Sequence, residues 1–161
     1  MEVIIRDAID ADSEGILAVL KAVFAEYEGC VYEPSEMPEL ERPATSFAEM
    51  HGRLWVVELD GSISGCIGMA EDHDDPSLVE LKKLYLLSSL RGRGLGRRLI
   101  ELVEQETRAR GLCRIHLWSD TRFTTAHGVY ERCGYTKLAE TRELHDLSFT
   151  VEYHFEKTLT P

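Results

Sequence analysis

Residues 91–98 read Arg91-Gly92-Arg93-Gly94-Leu95-Gly96-Arg97-Arg98, between one apolar run at 78–87 and another at 95–109. The first run alternates like a strand and the second repeats like a helix, so the octet joins strand to helix. Three glycines in five residues let the backbone come close to a ligand. The helix that follows opens with unpaired N–H groups and a partial positive charge. Four of the eight residues are arginine. Such a loop is an anion site, and phosphate is the commonest occupant. It is not a Walker loop, which needs Gly-x-x-x-x-Gly-Lys-Ser/Thr. Nor is it the Gly-x-Gly-x-x-Gly dinucleotide fingerprint, because its glycines fall at 92, 94 and 96.

The rest of the chain bounds what this loop serves. At 161 residues and 43% hydrophobic content, one domain spanning 1–161 with its own core is expected. No apolar run approaches the roughly 18 residues of a membrane span, and Met1–Asp7 lacks a signal-peptide layout. Cys30, Cys66, Cys113 and Cys133 are scattered without Cys-x-x-Cys spacing and lie in or beside apolar runs. They read as reduced, buried thiols, which favours the cytoplasm. A net charge of −11 disfavours general nucleic-acid binding and makes the arginine loop a local anion site. The acidic remainder serves solubility first and attraction of a cationic substrate second.

The periodicity predicts the order βααββ, then β–Gly loop–α, then βα, then ββ, a mixed α/β domain. Strands are expected at Val3–Ile5, Leu54–Leu59, Ile63–Ala70, Leu78–Leu87, Cys113–Leu117 and Tyr135–Leu144, with a last one running from Phe149 to Phe155. Asp60-Gly61 is a hairpin turn. The first helix carries Ile16, Leu17, Leu20, Phe24 and Tyr27, capped by Asp10 or Asp12 and ended by Gly29. A short helix is expected over Ser46–Met50, and Thr124 or Thr125 caps another that runs to Cys133. In the strand before the Gly loop, Val79 and Leu81 alternate in one phase and Leu84 and Leu86 in the other. A one-residue slip in a period-two pattern is what a β-bulge produces.

Arg91-Gly92-Arg93-Gly94-Leu95-Gly96 matches Arg/Gln-x-x-Gly-x-Gly/Ala, and Ala126-His127-Gly128-Val129-Tyr130-Glu131-Arg132-Cys133-Gly134-Tyr135 matches Ala-x-x-x-Tyr-x-x-x-Gly-Phe/Tyr. In this order, one helix and one strand apart, the two motifs resemble those of the GCN5-related N-acetyltransferase (GNAT) superfamily, and the resemblance covers nearly the whole chain. It implies a mostly antiparallel twisted sheet with helices on both faces, and acetyl-coenzyme A as co-substrate. It also implies direct acetyl transfer to a primary amine, without a metal.

The resemblance assigns pyrophosphate binding to the backbone of Arg91, Gly92, Arg93, Gly94, Leu95, Gly96 and Arg97. It gives pantetheine pairing to Leu84, Tyr85 and Leu86 on a strand splayed by the bulge. Tyr130 falls at the general-acid position, and a tyrosine, protonated at neutral pH, suits protonation of a departing thiolate. Glu80, eleven residues before Arg91, either takes the amine's proton or orients substrate and water. His116, His127 and Asp120 are weaker candidates. The acidic run Asp72–Asp75 reads as a solvated loop, with lining the amine site as its second reading. The family's cofactor-contacting asparagine is replaced here by Phe123, with Asp120, Thr121 or Arg122 as substitutes. A small-molecule amine is the expected acceptor. A protein lysine or N-terminus, or a non-catalytic acyl-coenzyme A sensor, is the alternative. Dimerisation is common in the superfamily and is not marked in this sequence.

Overall fold

The computed structural model describes residues 2–161. The elements follow in the order β1 Val3–Asp7, α1 Ser13–Phe24, α2 Pro43–Glu49, β2 Arg53–Leu59, β3 Ser62–Glu71 and β4 Leu78–Leu86. After them come α3 Leu95–Ala109, β5 Arg114–Asp120, α4 Thr124–Arg132, β6 Thr136–Glu143 and β7 Val151–Thr158. The strands form one sheet in the order β1-β2-β3-β4-β5-β7-β6. Every neighbouring pair is antiparallel except β4 and β5. That pair is joined through α3, and only such a crossover can join parallel neighbours. The expected α/β class, element order and mostly antiparallel sheet are all present.

Both faces of the sheet are covered, and strand alternation explains how. Val56 and Cys66 point to one side, where Ile16, Leu20, Leu40 and Phe47 from α1, α2 and their connection bury them. Their neighbours Val57 and Ile67 point to the other, against Leu95, Leu99 and Val103 of α3 and Tyr130 of α4. The β2–β3 turn forms at Asp60 (φ 49°) and Gly61 (φ 83°), the two positive angles a tight hairpin needs.

The structure corrects several local expectations. Helix α1 stops at Phe24, so Tyr27 lies beyond it. Asp12 does not cap α1; its carboxylate accepts from Arg6 at 2.8 and 2.9 Å and from the Ile9 N–H at 2.8 Å. Asp10 caps a different helix: it accepts from the Thr45 N–H at 2.9 Å, in the first turn of α2. That helix begins at Pro43, whose missing N–H costs nothing at a helix start. Neither Thr124 nor Thr125 caps α4, which starts at Thr124 after Phe123 without a side-chain cap. Phe149 is not in β7; it sits at φ 50° with its side chain 88% exposed, in the β6–β7 connection. All four cysteines are free, but only Cys66 is buried, and Cys113 is exposed.

Candidate active site

The site is made where β4 and β5 part. Their parallel pairing lasts for Leu78↔Arg114, Val79↔Ile115 and Glu80↔His116, then ends. The cause lies on the other side of β4. Cys66 pairs with Tyr85 and Gly68 with Lys82, so Ile67 of β3 stands opposite both Lys83 and Leu84. This is the bulge that the phase slip predicts. Lys83 takes a left-handed φ of 59° to make it. Two contacts fix it there: the Cys66 thiol donates to the Lys83 carbonyl at 3.1 Å, and Lys83 Nζ meets Glu39 at 2.7 Å. Burial pushes the Cys66 thiol up to about 12, so it stays protonated and donating.

Beyond the last pair the strands enclose a cleft of about 480 Å³. Leu81–Tyr85 of β4 and Trp118–Asp120 of β5 line its two sides, and Tyr130 reaches it from α4. Residues of the 30–37 segment and of the β6–β7 connection close the remaining sides. A second cavity, about 80 Å³, lies between Leu84–Leu86, Arg91, Gly96 and Val129. Leu84, Tyr85, Phe123 and Ala126 line both spaces.

Gly92 and Gly94 both sit at φ 76°, and Gly94 is the N-cap of α3. A Cβ on either would meet nothing within 4 Å, so glycine is required there by backbone angle and not by crowding inside the protein. Leu95 is buried and anchors the loop to the core. The arginines differ in use. The Arg91 guanidinium grips Glu26 at 2.5 and 2.6 Å and the Leu86 carbonyl at 2.9 Å, tying the loop to the segment after α1 and to the end of β4. Arg97 pairs with Glu101 one turn on, and Arg93 is exposed. Exposed N–H groups at a helix start, beside an unpaired strand edge and an apolar slot, suit a ligand with a diphosphate head and an amide-bearing tail.

Tyr130 is 5% exposed, its ring packed on Tyr135 and Phe155. Its hydroxyl has no partner among the described residues, and no fully enclosed side-chain oxygen lacks one, so the hydroxyl opens on the cleft. Burial raises its pKa, which keeps the proton on the oxygen.

Glu80 lies at the point of divergence, opposite His116 and 3.9 Å from Lys82 Nζ. It is outside the cleft lining, unlike Tyr130, Leu84 and Tyr85. Its carboxylate forms a group with Asp72 and His116 whose ligand atoms lie within 4.8 Å of one another. That spacing would also admit a metal ion. In this structure hydrogen bonds occupy it: His116 Nε2 meets Asp72 at 2.9 Å, and its Nδ1 meets His154 Nε2 at 2.8 Å. His154 Nδ1 in turn contacts Glu140. Sequence reasoning missed His154 and Glu140 and left Asp72 in a solvated loop. Only the shared phase of alternation in β5 and β7 hints that the two histidines meet.

The other candidates are structural. His127 is buried, with Nε2 at 3.1 Å from Ser119 Oγ and 3.0 Å from the Asp120 carbonyl, tying α4 to the end of β5. Burial lowers its pKa, leaving it neutral. Asp120 holds Arg122 in a two-pronged ion pair at 2.9 Å, so each largely satisfies the other. Phe123 packs with Tyr27, Tyr85 and Phe24 at ring distances of 5.0, 6.2 and 6.3 Å and forms an aromatic wall.

Comparison with known proteins agrees with this geometry. The model of the Acetyltransferase (GNAT) family matches residues 19–135. An uncharacterized N-acetyltransferase of Escherichia coli K12, YjgM, is 28% identical over 131 residues, covering 79% of this chain and 78% of that protein. Among solved structures, a GNAT-family acetyltransferase from Staphylococcus aureus Mu50 superposes with a TM-score of 0.84 at 16% identity, over 99% of this chain and 100% of the other. The putative acetyltransferase yncA of Salmonella typhimurium, solved with its cofactor acetyl-CoA, gives 0.74 at 16% identity, over 100% and 96%. The protein described here therefore belongs to the GNAT acetyltransferase family and is an acyltransferase.

Proposed function

We propose that this enzyme transfers the acetyl group of acetyl-coenzyme A directly to a small, cationic primary amine. One observation carries the proposal: the β4–β5 gap ends in a cleft onto which Tyr130 brings an unpartnered hydroxyl that burial keeps protonated, with the protonated Tyr85 also in the lining. When bound, acetyl-coenzyme A would supply the acetyl group, and its thioester C–S bond would break to release the coenzyme A thiolate. The α3 N-terminus and the backbone of Arg91–Arg97 hold its diphosphate, and the free edge of Leu84–Leu86 aligns its amide tail. Tyr130 gives the hydroxyl proton to the departing sulfur. Glu80 receives the ammonium proton of the acceptor through a water, which sets the nitrogen lone pair free. No cysteine suits a covalent route: burial raises the pKa of Cys66, Cys30 and Cys133, and the exposed Cys113 lies outside the cleft lining.

The cleft lining supports the acceptor's charge. Glu33, Glu36 and Asp146 line it and form no ion pair among the described residues, while its Lys83 is already paired with Glu39. The 30–37 segment and the β6–β7 connection are joined by hydrogen bonds, Val31 N–H to Ser148 Oγ at 2.8 Å and Leu147 N–H to Glu36 at 3.0 Å, and the cleft of about 480 Å³ that they help close suits a small molecule. A cytoplasmic location is part of the same proposal, supported by four cysteines that are all free. The test is a panel of amines offered with acetyl-coenzyme A, read by thiol release and mass spectrometry. Small di- and polyamines should lead. Turnover confined to peptides would move the acceptor to a protein, and an absence of turnover with every amine would leave only acyl-coenzyme A binding.

A further inference from the structure

We propose that His116 and His154 form a proton exit, running Asp72–His116–His154–Glu140 from the amine side of the site to solvent. The proposal rests on the acetyl-transfer reading for its use, though not for its existence. Three contacts make the chain: Asp72 to His116 Nε2 at 2.9 Å, His116 Nδ1 to His154 Nε2 at 2.8 Å, and His154 Nδ1 to Glu140. The relative exposures of the four side chains are 18%, 8%, 12% and 59% in that order, so the line runs through buried rings to an exposed carboxylate.

Counting protons gives the chain its character. An ionised carboxylate only accepts, so His116 Nε2 and His154 Nδ1 must both donate. Between the rings one nitrogen donates and the other accepts. That requires three ring protons, one more than two neutral imidazoles hold. The pair therefore stores one proton, and a single shift across the ring–ring contact moves the charge from His116 to His154. Trp118 lies parallel to His154 at 4.1 Å and 5°, a contact that favours a charged ring. Trp118 also lines the cleft, which places the chain at its wall.

The inner end is within reach of the chemistry. Glu80 has its carboxylate within 4.8 Å of the Asp72 and His116 ligand atoms, a gap one water bridges. A passage begins once the stored proton has been lost to solvent, which leaves two ring protons and His116 Nε2 bare; the arriving proton restores the three-proton pair. The proton of the ammonium goes by Glu80 and water to that nitrogen. The His116 Nδ1 proton shifts to His154, and the His154 Nδ1 proton leaves by Glu140 to water. One ammonium N–H bond breaks and one O–H bond of solvent forms, with no change of oxidation state. Exchange with water then returns the rings to their starting tautomers. The groups facing the chain are Asp72 and Asp75 from the β3–β4 connection, Glu80 and Lys82 from β4, and Arg114 from β5. Glu140 and Arg142 face it from β6, and Glu156 from β7.

Two measurements test this. Nitrogen-15 spectra of the histidine rings in the intact wild-type protein should show three protons shared by His116 and His154. Separately, His154→Gln keeps hydrogen bonds but carries no proton, and Glu140→Gln, at an exposed site, leaves packing untouched. With the best amine of the panel, both variants should lose about 10–100-fold in kcat/KM near neutral pH, because water replaces the exit only in part. The loss should shrink as pH approaches the amine's own pKa, and imidazole in the buffer should restore His154→Gln. The KM for acetyl-coenzyme A should not move. Two independent neutral rings in the spectrum, or a loss that is constant with pH and indifferent to imidazole, would overturn the exit. If the wild type acetylates no amine, the acetyl-transfer reading fails instead, and the ring spectrum alone decides whether the stored proton exists.

Discussion

In the proposed reaction Tyr130 serves packing and chemistry at once. Its ring is part of the core under α4, between Tyr135 and Phe155. Its hydroxyl is the unpartnered end, and burial of the ring is what holds the proton on it. The two jobs separate experimentally. Tyr130→Phe keeps the ring, so melting temperature and coenzyme A affinity should stay at wild-type values. Turnover should fall by about 10²–10⁴-fold, the contribution of a positioned acid. The loss belongs in kcat more than KM, because the proton is needed only in the transition state. A Phe variant within about twofold of wild-type kcat, measured with chemistry as the slow step, would remove the acid role and leave Tyr130 as core.

At the scale of elements, β4 and the Gly loop act as one unit. The bulge at Lys83 turns β4 away from β5, and Arg91 then ties the loop back to the Leu86 carbonyl at the end of the same strand. The loop's left-handed glycines leave the α3 N–H groups bare. Gly94→Val tests this. Space around the position is open, so the fold should survive with a strain cost of about 1–2 kcal/mol. The added branch stands where the proposed diphosphate site has its backbone N–H groups. Calorimetry should show coenzyme A binding weakened at least about 30-fold, through loss of one or two hydrogen bonds to a charged group worth about 1.5–3 kcal/mol each. Unchanged affinity would move the diphosphate elsewhere on the protein.

For the whole molecule, the net charge of −11 is unevenly spread. Glu33, Glu36 and Asp146 line the cleft, and four arginines gather at 91–98. In the proposed reaction this field would draw the cationic amine to the carboxylates and the diphosphate to the arginines. Raising ionic strength from about 0.01 to 0.15 M shortens the screening length from about 30 to 8 Å. The KM for the best cationic amine should rise over that range, and kcat should change little. A flat KM would discard the cationic acceptor while leaving acyl transfer intact.

Local chemistry was enough for much of this protein. The apolar runs of β2 and β3, the alternation of β5 and the slip at Lys82-Lys83 can each be read along one strand. The turn at Asp60-Gly61 and the glycine-opened start of α3 are equally local, because each depends on neighbours a few residues away. The spacing of the loop and the tyrosine motif marked the family for the same reason. What the chain could not declare alone depends on partners distant in sequence. Asp10 serves α2 and not α1, since Thr45 is brought to it by packing. Arg91 is held by Glu26, 65 residues away. Phe149 continues the alternating pattern of β7 but is turned out by a positive φ. His116 and His154, 38 residues apart, look like unrelated histidines until the β5–β7 register places them side by side. Alternation gives each residue a face of its own strand. Only the order and register of strands in the sheet, set by burial of both faces at once, decide which residues share that face and exchange a proton.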